Sequence, residues 1–218
     1  MIEPDIIDLS RVPPGQTVRL KDYDPGWVQT KEMKALGKDV IKERAGAVLR
    51  QNLEDLAQAQ ELLYADDRYA VLVILQAMDA AGKDGTIKHV MSGVNPQGCQ
   101  VFSTIILKFF LHKSKKEQKR RFLERLERPD KHWKFSAADL AERVHWDDYV
   151  EAYEAALGAT STAWAPWYVV PADHKWVTRA VVADVLTTAI RSLDLSYPVV
   201  TEQRRRALAD ARKQLEQE

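Results

Sequence analysis

The chain has 218 residues, 45% of them apolar and 29% charged, enough to bury a core in one domain of ordinary size. Lysine plus arginine equal aspartate plus glutamate at 32 each, which argues against a wholly basic nucleic-acid binder and leaves local patches open. One cysteine, Cys99, excludes a disulfide framework. The apolar runs are too short for a membrane span, and the opening MIEPDIIDLSRVPPG lacks a basic-then-apolar leader, so a soluble cytoplasmic protein is expected.

Residues 1–30 read as an irregular arm, broken by Pro4, Pro13-Pro14-Gly15 and Asp24-Pro25-Gly26. A single domain over 31–218 follows. From Lys31 to about Ala65 the three- and four-residue spacing of Leu49, Leu53 and Leu56 predicts a helix. Tyr69–Ala77 (YAVLVILQA) predicts a strand buried on both faces, as in a parallel sheet. A loop and a helix start follow, then a turn at Asn95–Gly98. The apolar run Cys99–Leu111 is long for one strand. Ser114–Pro129 predicts a charged helix. Ser136 and Asp139 have capping-box spacing before a helix with the stripe Trp146, Tyr149, Val150, Tyr153 and Leu157, where core packing is the expectation for Trp146. Trp167–Ala172 predicts a second buried strand, Lys175–Leu193 a helix, and Glu202–Glu218 a charge-balanced terminal helix. Strand–helix alternation with helices in excess points to an α/β sandwich.

The sharpest signal lies at 77–85, where a strand runs into Gly82-Lys83-Asp84-Gly85 and directly into a helix. Small residues let successive backbone N–H groups turn inward, the helix start adds partial positive charge, and a lysine reaches outer phosphates. Against the Walker A template G-x-x-x-x-G-K-[ST], Ala77 replaces the first glycine and Asp84 the magnesium-binding hydroxyl. An ordinary strand-to-helix turn with an exposed lysine is the plain alternative. Asp79 sits within the loop, where a carboxylate makes sense holding a divalent cation or accepting a proton, or else as a turn aspartate. Candidate phosphate or nucleotide contacts are Ala81, Gly82, Lys83, Asp84, Gly85, Thr86 and Lys88, with Asp79 the candidate metal ligand.

Residues 75–98, LQAMDAAGKDGTIKHVMSGVNPQG, closely resemble the polyphosphate kinase 2 family of P-loop phosphotransferases. Further matches are RVPPG (11–15), YDPGW (23–27), TIILKFFLHKSKKEQ (104–118), DKHWKFSAADLAERVHWDDYVEAYE (130–154) and APWYVVPADHKW (165–176). The resemblance spans nearly the whole chain and looks most like the branch accepting nucleoside mono- and diphosphates. It implies a three-layer P-loop kinase-like α/β sandwich with a parallel sheet and a helical lid at about 129–160. It also implies Mg2+-dependent phosphoryl transfer between inorganic polyphosphate and AMP, ADP or ATP. On this reading Lys83 holds phosphates, Asp79 orients metal and transferred group, and the lid residues Lys131, Lys134 and Arg143 supply positive charge, with Asp79, Lys83 and Arg143 catalytic.

One departure stands out. In the family, the strand matching Gln100–Ser103 is followed by several dozen residues that carry a second catalytic aspartate in an Asp/Asn-Arg-Ser-x-Tyr motif. Here Ser103 abuts Thr104 and the motif is absent. Either the segment is missing from the sequence as written, or the chain is shortened and the sheet loses a strand and its crossover. Two other functions therefore stand beside the transferase: an ATP-using P-loop kinase of a small acceptor, and a non-catalytic polyphosphate-binding protein. Between Lys113 and Lys131 nine basic residues face four acidic ones, a rail for a polyanion or a solvated face of i,i+4 pairs such as Glu117–Arg121. Without interleaved aromatic residues, nucleic acid is not the expected partner. Trp133 is a candidate lid contact, and self-association into a homo-oligomer is expected of such an enzyme.

Overall fold

A computed structural model describes residues 8–26, 38–66, 68–92 and 103–217. The turn expected at Asn95–Gly98, and residues 99–102 of the long apolar run, lie outside these residues. Three parallel strands form the sheet in the order β1-β2-β3: β1 (Tyr69–Ala77), β2 (Ser103–His112) and β3 (Trp167–Pro171). Tyr69 pairs with Ser103 and Ala77 with Leu111, so β1 and β2 run in register over nine positions. The helices are α1 (Lys38–Asp66), α2 (Lys83–Val90), α3 (Lys115–Glu127), α4 (Ala137–Ala141), α5 (Trp146–Thr160), α6 (Lys175–Arg191) and α7 (Glu202–Leu215). The single helix expected after Ser136 is broken: Ser136 caps the short α4, a 3-10 stretch follows at Glu142–His145, and α5 starts at Trp146.

Strand alternation sends neighbouring side chains to opposite faces, and β2 shows it at full strength. Phe109 packs into a core with α1 and α6, while Phe110 packs into a second core with Leu157 of α5, Val169 of β3 and Val12, Val18 and Leu20 of the N-terminal arm. Helix α6 is buried along most of its length, because it lies between the sheet and α1. A buried side-chain bond from Asn52 Nδ2 to Asp184 Oδ1 (3.0 Å) joins the two helices.

The arm is fastened to β3. Val12 N–H donates to the Trp167 carbonyl (2.7 Å), Arg11 forms an antiparallel bridge with Tyr168, and Leu20 N–H donates to Glu154 Oε1 (2.6 Å). Strand β1 departs from expectation. Its inner residues meet the α1–α6 core, but Leu72 and Ile74 on the opposite face are 48% and 38% exposed. Helix α5 reaches the end of β1, where Gln76 Nε2 donates to the Tyr153 hydroxyl (3.1 Å), and at Leu72 and Ile74 β1 is buried on one face and open on the other.

Candidate functional site

The loop after β1 lies at the C-terminal ends of the parallel strands. Ala80 (φ 61°) and Gly82 (φ 100°) are both left-handed there. Glycine accepts that conformation freely, whereas an alanine in it costs about 1 kcal/mol or more and needs surroundings that impose it. Those surroundings are side-chain donors from the far side. The Asp79 carbonyl accepts from Lys113 Nζ and from Gln118 Nε2 (3.2 Å). The Ala80 and Ala81 carbonyls accept from Arg121 Nη1 at 2.8 and 3.0 Å. Arg121 is itself buried: its Nη2 donates to the carbonyls of Ala172 (2.7 Å) and Asp173 (3.1 Å) after β3, and its Nε pairs with Glu117 (2.8 Å). Burial pushes the Glu117 carboxyl up, and the bonds from Arg120 and Arg121 more than reverse this, to about 2.

In a trans peptide the N–H points opposite to the preceding carbonyl. With carbonyls 79–81 turned toward α3, the N–H groups of Ala80 and Gly82 face the other way. The first bond of the α2 ladder runs from Thr86 N to Gly82 O (3.0 Å), so the N–H groups of Lys83, Asp84 and Gly85 have no partner within the helix. Together they give a backbone cradle of donors, a shape that suits an anion.

The cradle opens on a cleft of about 290 Å³ lined by residues 80–86, Arg121, Glu124, Arg125, Lys131, Lys134, Lys175, Thr178 and Arg179. Seven cationic side chains meet two acidic ones, Asp84 and Glu124. Crowding has electrostatic consequences. Burial, reinforced by Arg121, lowers the Lys175 pKa, and burial lowers that of Arg179. Beneath the loop, burial and then Arg121 and Arg125 bring Lys113 down to about 7. Such an unbalanced set of cations suits a multiply charged anion.

A second, smaller pocket of about 120 Å³ lies on the other side of the loop, lined by Met78, Asp79, Gln118, Asp139, Glu142, Arg143, Trp146, Tyr149 and Tyr153. Arg143 Nη1 donates to Gln118 Oε1, and Gln118 in turn holds the Asp79 carbonyl, so the segment before α5 is wired to the loop. Tyr149 donates to Glu142 (2.7 Å). Trp146 corrects the core-packing expectation. It walls this pocket, half-buried, with Lys115 over its ring, because the break before α5 carries the first turn of the stripe away from the core.

The anticipated residues thus fall into two groups. Ala81, Gly82, Lys83, Asp84, Gly85, Thr86, Lys131 and Lys134 line the cationic cleft, and Asp79 and Arg143 line the pocket beside it. Lys88 is exposed on α2 and lines neither. Trp133 is 78% exposed, with Lys134 over its ring at 4.7 Å. Sequence reasoning met Lys113, Arg121 and Arg125 only as part of the basic run 113–131, without singling them out, and missed Lys175 and Arg179. Four of these form i,i+4 pairs, 121 with 125 and 175 with 179, which was the available signal.

The family model described as polyphosphate kinase 2 matches residues 39–104 and 102–197. The chain belongs to the polyphosphate kinase 2 family. The two matched stretches meet at 102–104, where Ser103 abuts Thr104. An ADP-polyphosphate phosphotransferase of Rhodopseudomonas palustris is 39% identical over 256 residues, covering 80% of this chain and 89% of that protein. An AMP/ADP-polyphosphate phosphotransferase of Meiothermus ruber is 37% identical over 258 residues, covering 86% and 94%. Both alignments are longer than the share of this chain they use, so about 70 to 80 of their positions face no residue here. The crystal structure of polyphosphate kinase 2 from Arthrobacter aurescens TC1 superposes with a TM-score of 0.79 at 31% identity, covering 94% of this chain and 96% of that one. The P-loop kinase-like fold, with its parallel sheet, follows from this likeness.

Proposed function

We propose that this chain transfers phosphoryl groups between inorganic polyphosphate and AMP or ADP, with Mg2+ as the metal. The observation that carries the reading is the convergence of seven cations and the unpaired N–H groups of the Lys83–Gly85 turn on one cleft, with the carboxylate of Asp79 in the pocket beside it. A chain of phosphates neutralises the cleft, and Lys83 holds its reacting end. Lys131, Lys134 and Arg143 belong to a lid over 129–160 that adds charge as the group moves, and positioning with neutralisation supplies most of the rate.

Among the described residues no cluster of three or more His, Cys, Asp or Glu side chains could hold a metal. Mg2+ is compatible with that, since it is ordinarily bound by one or two carboxylates plus phosphate oxygens and water. Asp79 is exposed to the pocket and fits the carboxylate role. When bound, the ion neutralises charge on the transferring phosphoryl group. Among the described residues no helix is long and apolar enough to cross a membrane. We place the enzyme in the cytoplasm as a homo-oligomer acting on small phosphorylated substrates.

The test is ATP formation by the purified chain from ADP, polyphosphate and Mg2+, with polyphosphate omitted in one arm. ATP that depends on polyphosphate supports the reading, and its absence from folded protein contradicts it. A second reading has an observation of its own. The 70 to 80 absent positions and the missing Asp/Asn-Arg-Ser-x-Tyr motif favour a polyphosphate-binding protein without turnover. It predicts saturable binding and no ATP.

A further inference from the structure

Lys113 follows the last residue of β2 and is 2% exposed, among the most buried polar side chains described. A buried ammonium is expensive, and an apolar side chain of the same length would serve packing better. The charged groups facing it are Asp79 on the loop, Asp173 after β3, and Arg121 and Arg125 on α3. Two like charges among the four make the position worse for a cation. Its hydrogen bond explains the residue: Nζ donates to the carbonyl of Asp79, which Gln118 also holds.

That carbonyl belongs to the peptide joining Asp79 to the left-handed Ala80. Fixing it sets the direction of the Ala80 N–H and the point from which the Asp79 side chain departs. Arg121 fixes the next two carbonyls in the same sense, so three successive peptides are held by three side chains from one direction. Lys113 lines neither pocket and reaches the loop through its bond to the Asp79 carbonyl.

We propose that Lys113 is a positioning residue of the phosphate loop, whose buried amino group holds the Asp79–Ala80 peptide in the orientation that binds polyphosphate and presents Asp79 to the transferred group. The proposal rests on the phosphoryl-transfer reading above. A lysine kept for packing and one kept for loop geometry differ in what their replacement changes. A packing residue changes stability and leaves tripolyphosphate binding by the folded protein intact, whereas a residue that sets loop geometry changes binding well below the unfolding midpoint. Methionine keeps the length of the side chain but leaves the Asp79 carbonyl to Gln118 alone, so stability stays equal or falls.

The experiment measures binding of inorganic tripolyphosphate by titration calorimetry, alongside thermal unfolding, on the full chain and on Lys113→Met, Gln118→Leu and Lys83→Ala. Expected for Lys113→Met, measured well below its unfolding midpoint, is binding weakened about 10-fold or more, the scale on which misplaced site groups act, with a midpoint equal to or below the parent's. Gln118→Leu, which removes the weaker donor to the same oxygen, shifts binding in the same direction by less. Unchanged tripolyphosphate binding by folded Lys113→Met overturns the proposal whatever its midpoint, because it marks a packing role. Parent protein that does not bind, or Lys83→Ala that binds like the parent, removes the phosphate-cleft reading itself and the proposal with it.

Discussion

The two ends of one face of the sheet differ sharply in how they are covered. Around β2 and β3, the face that carries Phe110 and Val169 is sealed by α5 and the arm, and the strand ends are tied to the phosphate loop through Arg121, Gln118 and Lys113. On the same face of β1, five and three residues before the strand's last residue, Leu72 and Ile74 stand exposed. The loop is therefore held from one side only, by β2, α3 and β3. The side on which this chain is open belongs to a protein 70 to 80 positions shorter than its relatives within the aligned region.

This contrast can be broken deliberately. Phe110→Ala is expected to destabilise by about 3–5 kcal/mol, since it removes a ring packed against Tyr153 from a sealed core. Arg121→Ala is expected to cost a similar 3–5 kcal/mol, because it leaves four loop carbonyls and the Glu117 carboxylate short of a buried donor. Chemical denaturation measures both. Gly82→Ala places a side chain at φ 100°, for an expected loss of about 1–2 kcal/mol and weaker phosphate binding by calorimetry. Leu72→Ser, on the open face, is expected to stay under about 1 kcal/mol.

Acid sharpens the same comparison. The Glu117 carboxyl lies at about 2 in the folded chain against an ordinary 4.5. Its contribution is fully present above pH 4.5 and is lost as pH falls toward 2, because the unfolded chain takes up the proton first. Unfolding followed by circular dichroism over that window is expected to show a shallower acid limb in Glu117→Gln than in the parent.

Much of this architecture was legible in the residues. The strand YAVLVILQA and the helix starting at Lys83 form as composition and periodicity dictate, and Gly82 marks the turn between them because its left-handed backbone suits glycine. Arg121 was hidden by its own spacing. Four residues after Glu117 it looks like half of a solvated ion pair, and its contacts to residues 80, 81, 172 and 173 lie about 40 to 50 positions away. Lys113 was hidden in the same way, since nothing local distinguishes a buried lysine from an exposed one at a strand end. Trp146 misled because a 3.6-residue stripe is the same whether it faces a core or a pocket wall. The open face of β1 could not be read from β1, whose apolar run is that of a fully buried strand.

The central claim is that the cleft at Lys83 is a polyanion site. Its most direct measurement is the affinity for medium-length polyphosphate as a function of salt, on the full chain and on Lys83→Ala. A polyanion site gives affinity that falls steeply with salt, and a variant at least about 10-fold weaker. Salt-insensitive binding, or binding that ignores Lys83, would contradict it.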